Sequence, residues 1–288
     1  MKVVVFGASG VIGRALVPAL VERHEVVAVS RSPRPESGRA RWVTADATRE
    51  ETLDAALAGA DAVVYLVHSL GSPEFAEVDR LAAANVARAA ERNRVQQIVY
   101  LGGLGDDDPD LSPHLRSRRE TATVLASGSV PVTTLRAAMV VGRGSAAFET
   151  ILALVDRLPA MICPRWVSTP TQPIALEDAV AYLAGVLGIE AALGRTLDIG
   201  GPEVMSYREM IERIGAIRGR RPRIVEVPVL TPRLSSWWLH LVTPVRASVA
   251  RPLIEGLRNP TVARDETIRE LVPIPLTGFD EAVRRALA

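Results

Sequence analysis

The sequence predicts an α/β protein built on a doubly wound parallel sheet, followed by a smaller C-terminal α+β region. Two observations carry this. Through residues 1–142, short apolar runs alternate with amphipathic segments, the pattern of strands joined by helical crossovers. The first run, KVVVF at 2–6, passes straight into a glycine-rich turn, Gly7-Ala-Ser-Gly10-Val-Ile-Gly13, that opens the first helical pattern.

In chain order, strand 2–6 feeds a helix over 11–23, and VVAVS at 26–30 is the second strand. An exposed turn-rich linker, SPRPESG, separates it from a third strand at 41–45. A helix over 48–58 leads to AVVYLV at 62–67, the fourth strand. Ser72-Pro73-Glu74 then offers an N-cap, a first-turn proline and an acid at the positive helix end. The helix after it carries Phe75, Val78, Leu81, Ala82, Val86 and Ala89 at steps of three and four, one apolar stripe. A fifth strand at 97–101, a helix over 112–127 and a sixth strand at 132–135 complete the series. Six strands with helical crossovers make a doubly wound sheet with right-handed connections. Past Gly142 proline becomes frequent and strands short, at 196–199 and 223–227, with helices expected over 176–187, 206–217, 247–257 and 280–287. Residues 143–288 therefore read as a substrate-facing cap interleaved with the core.

Composition narrows the function classes. Of 288 residues, 48% are apolar and 23% charged, ordinary values for a globular protein. A net charge of +1 supplies no field for nucleic acid or an anionic membrane as main partner. The single cysteine, Cys163, permits no internal disulfide. The N-terminus enters a strand directly, unlike a secretory signal, and no apolar stretch approaches the roughly 18 residues needed to span a bilayer. A cytoplasmic protein with a small-molecule substrate is the expectation.

The glycine turn has a chemistry. One glycine permits the tight turn, one lets backbone N–H groups approach a diphosphate, and one lets the helix pack on the strand. The diphosphate then sits at the positive end of the helix. Gly7, Ser9, Gly10, Val11, Ile12 and Gly13 are the expected cradle, and residues 1–142 a Rossmann dinucleotide-binding domain. Directly after the second strand, where an acid usually meets the ribose hydroxyls of NAD, stands Arg31. With Arg34 it suits a 2′-phosphate, so NADP(H) is preferred over NAD(H); the alternative is a solvated surface cation.

With G-A-S-G-V-I-G in this setting, most of the chain resembles the short-chain dehydrogenase/reductase superfamily in its extended and atypical branches. The resemblance implies that Asp46 and Ala47, in T-A-D-A-T, contact the adenine. It likewise implies that Val67 and His68 line the central ribose and nicotinamide side. L-R-A-A-M-V-V-G at 135–142 resembles the segment closing the family's sixth strand. I-G-G-P at 199–202, followed by a Ser206-capped helix, resembles epimerase-like and NmrA-like members. Family enzymes carry a Tyr-x-x-x-Lys pair and a serine or threonine after the fifth strand. Here His114 falls at the tyrosine position, Arg118 at the lysine position, and Gly102 and Gly103 at the hydroxyl position.

Four residues is one helical turn, so His114 and Arg118 share a face and can point together into the cleft. Arg118 can bond a ribose hydroxyl, and its charge disfavours the imidazolium of His114. His114 reads either as the acid–base group or as a helix-turn residue beside Pro113; the glycine pair either widens the site or simply makes a turn. His68 reads as lining rather than catalytic. No cluster has metal-ligand spacing, and Ser9 and Ser117 lack a base, which removes metal and acyl-transfer chemistry from the expectation. Phe148 and Trp166 are pocket candidates, and Arg143 either meets an anionic substrate group or is solvated. Trp237-Trp238 reads first as core or a homodimer contact, with the wall of a hydrophobic substrate pocket as the alternative, and is too short and too poor in lysine for stable membrane insertion. Two functions remain. One is an NADP(H)-dependent oxidoreductase acting on a carbonyl or quinone-like substrate, with His114 and Arg118 at the reacting site. The other is a non-catalytic NmrA-like NADP(H) sensor or scaffold, favoured by the simultaneous loss of tyrosine, lysine and serine. Sugar-nucleotide epimerisation leans on the missing tyrosine and is the weakest.

Overall fold

The structure, a computed structural model, describes residues 1–35, 38–69, 72, 74–105, 111–227 and 256–288. Its centre is one parallel sheet. Strands β1 (Lys2–Phe6), β2 (Glu25–Ser30) and β3 (Arg41–Thr44) run outward on one side; β4 (Ala62–Tyr65), β5 (Gln97–Gly103) and β6 (Val132–Ala137) run outward on the other. Valines and other apolar residues fill these strands without alternation because both faces are covered. Val3, Val4, Val5, Val63, Val64 and Tyr65 have no exposed surface at all. Helices α1 (Val11–Leu20) and, on the opposite face, α2 (Leu53–Leu57) and α3 (Phe75–Arg92) do the covering, with α4 (Pro113–Leu125) beside α3.

A seventh strand corrects the count of six. After β7 (Val140–Val141), α5 (Ala146–Arg157), β8 (Ala160–Pro164), β9 (Pro170–Thr171), β10 (Ile174–Ala175) and α6 (Leu176–Gly185), strand β11 (Thr196–Ile199) returns to pair parallel with β6. Sequence alone put this strand in the cap, because four residues carry no sign of a partner sixty positions away. The sheet order is β11-β6-β5-β4-β1-β2-β3. The order reverses between β1 and β4, and open α/β sheets bind ligands outside the carboxyl ends at such a point. β11 is tied in by Asp198, which is 2% exposed and accepts from Arg136 at 2.7 Å and from the Arg264 backbone N–H at 3.0 Å.

The remainder packs as a second core. β12 (Met205–Ser206), α7 (Tyr207–Ile217) and β13 (Arg223–Val227) follow β11, and β13 pairs parallel with β8. Phe148 of α5, Met161 of β8, Ile214 of α7 and Phe279 of the last helix, Phe279–Leu287, meet there. Ser206 caps α7 through a reciprocal bond with Glu209, as its spacing implied.

Several boundaries move for local reasons. The first helix stops at Leu20, whose carbonyl takes the N–H groups of Arg23 and His24 at 3.1 and 2.9 Å. The helix expected over 48–58 is a 3-10 turn, Glu50–Thr52, and the short α2, because Asp46 holds Thr48 outside it. α3 begins at Phe75, and Ser72 bonds the Glu74 side chain instead of a backbone N–H. Ser112 does cap α4, accepting from the Leu115 N–H at 3.3 Å with Pro113 in the first turn. Trp237-Trp238, His240 and nearly all of the helix expected over 247–257 lie outside the described residues. Among the described residues, no helix is long and apolar enough to cross a membrane.

Candidate active site

The glycine turn is shaped by close approach. Gly7 takes φ +82°, which favours glycine, and its N–H neighbour in the turn, Gly10, bonds back to the Gly7 carbonyl at 2.9 Å. A Cβ on Gly13 would lie 2.4 Å from that same carbonyl oxygen, so no larger residue fits where α1 meets the turn. The Arg14 N–H makes the helical bond to Gly10 at 2.9 Å. The N–H groups of Val11, Ile12 and Gly13 precede it, and a helix has no carbonyl of its own for them. No acid occupies the first turn of α1 to compete for that positive end. The cradle therefore fits a diphosphate.

A cavity of about 560 Å³ opens from this turn along the carboxyl edge of the sheet. Of the residues singled out from sequence, Gly7, Gly10, Val11, Ile12, Gly13, His68, His114 and Arg118 line it. Ser9, Arg31, Asp46, Ala47 and Val67 do not. The last four follow the carboxyl ends of β2, β3 and β4, and the parallel register that pairs Phe6 with Val29 and Tyr65, and Ser30 with Thr44, sets those ends along one edge. Asp46 orders its loop by accepting from the Thr48 N–H and hydroxyl at 2.9 and 2.8 Å. Arg31 is exposed, and the Arg34 guanidinium lies 5.7 Å from the Trp42 ring centroid.

At the other end of the cavity α4 delivers His114 and Arg118 together, as their spacing implied. Arg118 donates to the Leu101 carbonyl and stacks on the Tyr100 ring, 5.0 Å from its centroid. The Tyr100 hydroxyl in turn donates to the Arg118 carbonyl at 3.0 Å, so strand and helix hold the cation from both sides. Burial and then the Arg118 charge push the His114 pKa down to about 3, and its Nδ1 is buried without a hydrogen-bond partner. His68 keeps an open face toward the cavity, yet the enclosing protein and Arg118 lower it to about 4. Both imidazoles are therefore neutral at pH 7. Gly102 and Gly103 also line the cavity, and a Cβ on Gly103 would lie 3.0 Å from the end of the Leu115 side chain of α4.

Sequence reasoning missed the far wall. Met139, Ile151, Leu154, Met161 and Cys163 line the cavity beside the expected Trp166. Phe148, expected there, is wholly buried in the second core instead, and Arg143 is exposed. The signal was present only as apolar residues spread over more than one face of α5, which a helix with two buried faces requires.

Residues 7–149 match the model of a family described as NAD(P)H-binding. Among curated relatives, the mitochondrial NADH dehydrogenase (ubiquinone) 1 alpha subcomplex subunit 9 of Arabidopsis thaliana is 23% identical, covering 96% of this chain and 75% of its own. The (4-alkanoyl-5-oxo-2,5-dihydrofuran-3-yl)methyl phosphate reductase of Streptomyces griseus is 28% identical over 96% of this chain and 95% of its own. In fold, the chain is similar to the Escherichia coli NADPH-dependent quinone oxidoreductase solved with NADPH, with TM-score 0.79, 18% identity and full coverage of both. Sheet order, glycine turn and family match define an NAD(P)-binding protein of Rossmann fold. The same fold, at TM-score 0.79 and 16% identity, is that of a nucleoside-diphosphate-sugar epimerase from Staphylococcus aureus, with 99% of this chain and all of that one covered.

Proposed function

We propose that the protein is an NADP(H)-dependent reductase of a carbonyl or quinone-like acceptor. The observation that carries this is one continuous cavity that starts at the glycine turn and reaches His114 and Arg118. A reduced nicotinamide, when bound, supplies hydride. The chain's own residues do the rest. The N–H groups of Val11, Ile12 and Gly13 hold the diphosphate, Asp46 and Ala47 flank the adenine, and Arg31 with Arg34 meets the 2′-phosphate. Val67 and His68 border the ribose. The Arg118 guanidinium faces the oxygen on which negative charge develops. His114, neutral, positions that oxygen by a hydrogen bond from its one ring N–H; with a pKa of about 3 it is not an imidazolium acid near pH 7, so solvent supplies the proton.

The Streptomyces and Escherichia relatives, named as a reductase and a quinone oxidoreductase, support the reaction class. The test is NADPH absorbance at 340 nm against a panel of neutral quinones and aldehydes. Turnover that prefers NADPH to NADH by tenfold or more in kcat/KM is the expected result. Saturable NADPH binding with no oxidation across the panel supports the sensor or scaffold reading instead.

A further inference from the structure

Away from the glycine turn, the cavity runs between α5 and β8, walled by Ile151, Leu154, Met161, Cys163, Trp166 and Ile211. Among the described residues that line the whole cavity, Arg118 is the one side chain with a permanent charge, and it stands at the α4 end, stacked on Tyr100 and bonded to Leu101. On the far wall, the hydroxyl groups of Thr150 and Thr261 are turned to protein partners. Thr150 donates to the Ala146 carbonyl at 2.6 Å, and Thr261 pairs with Thr171 at 2.8 Å. A phosphate or carboxylate carried past the α5 N-terminus and between these walls loses its hydration and meets no charged side chain among the described residues there, which is strongly unfavourable. An apolar body loses nothing there, and its release from water is favourable in proportion to the area covered.

We infer that this inner compartment is the substrate's binding site and selects an uncharged carbonyl compound with an apolar body, excluding nucleotide sugars and, in contrast to the Streptomyces griseus reductase named for a phosphate ester, phosphorylated acceptors. The inference rests on the reductase reading and deepens it. The reacting oxygen lies toward His114 and Arg118, and the apolar body toward Ile151, Leu154 and Met161. The thiol of Cys163 agrees with an electrophilic occupant. Burial pushes its pKa up to about 11, which keeps it protonated and a poor nucleophile.

The test is equilibrium binding rather than turnover. The protein saturated with NADP+, which cannot donate hydride, is titrated with 2-alkyl-1,4-naphthoquinones of increasing chain length, and tryptophan fluorescence and calorimetry are read. One saturable site is expected, tightening by about fourfold for each methylene over the first few carbons. A naphthoquinone sulfonate and a UDP-sugar are each expected to bind at least tenfold more weakly than the neutral parent. Leu154→Lys, and separately Met161→Glu, is expected to weaken the alkylnaphthoquinones tenfold or more while NADP+ affinity stays within twofold. A flat chain-length series, or a sulfonate or UDP-sugar bound as tightly as the neutral compound, overturns the assignment; the wild-type series decides it even if a variant does not fold. Tight binding of the alkyl series without reduction by NADPH defeats the reductase reading and leaves the compartment's specificity standing.

Discussion

His114 and Arg118 stand one helical turn apart, and the arginine decides what the histidine can do. Burial and this fixed charge hold the His114 pKa at about 3. The rate should accordingly be flat in pH from 5 to 8 as far as His114 is concerned. Loss of the imidazole in His114→Ala should lower kcat/KM by tenfold or more, with NADPH affinity unchanged. A kcat inflection between pH 6 and 7 that disappears in His114→Gln would instead make His114 the proton donor. The same shift has a sign in stability. The unfolded chain protonates His114 near pH 6.5 and the native chain does not, so acidification from pH 7 to 4 favours unfolding. The melting temperature should fall over that range, less steeply in His114→Gln than in the wild type. Arg31 makes a second residue-scale prediction. Arg31→Ala should cost about tenfold or more in NADPH affinity, as a charge-assisted bond to phosphate does, and leave NADH within twofold. Equal losses for both cofactors would remove Arg31 from the 2′-phosphate.

At the scale of elements, Gly103 shows how closely α4 lies on β5. Serine at position 103 would restore the hydroxyl typical of the superfamily, but it would also bring a Cβ to 3.0 Å from Leu115. Gly103→Ser should therefore lower stability by roughly 1 to 3 kcal/mol, measured by denaturant unfolding, through overpacking of α4 against β5. A neutral or stabilising effect would show that α4 shifts freely. The strands were legible in the sequence because burial on both faces leaves continuous apolar runs such as VVAVS, and the α4 and α7 starts because Ser112 and Ser206 are read locally. The misplaced boundaries were set by bonds the sequence does not display. Asp46 detains Thr48, and the Leu20 carbonyl collects two N–H groups from beyond its helix. The inner compartment was illegible for a related reason: Ile151 and Met161 look like any core residue until two buried surfaces are seen to leave a space between them.

At the scale of the molecule, β11 joins the two halves. Asp198 lies nearly without exposure between Arg136 of β6 and the backbone of Arg264, and removing it strands a half-buried cation. Asp198→Ala should cost about 3 kcal/mol in unfolding free energy. Thermal unfolding that stays unchanged would show that sheet closure does not depend on this pair. Cofactor acts on the same equilibrium: at a hundredfold excess over its Kd it should add about 2.7 kcal/mol of stability. All of these expectations depend on the mouth of α1 gripping a dinucleotide, and calorimetric titration with NADP+ tests that most directly. One saturable site is expected for the wild type, lost in a Gly13→Ala variant shown by circular dichroism to be folded. Folded wild-type protein that gives no saturable heat with either NADP+ or NAD+ would contradict the account.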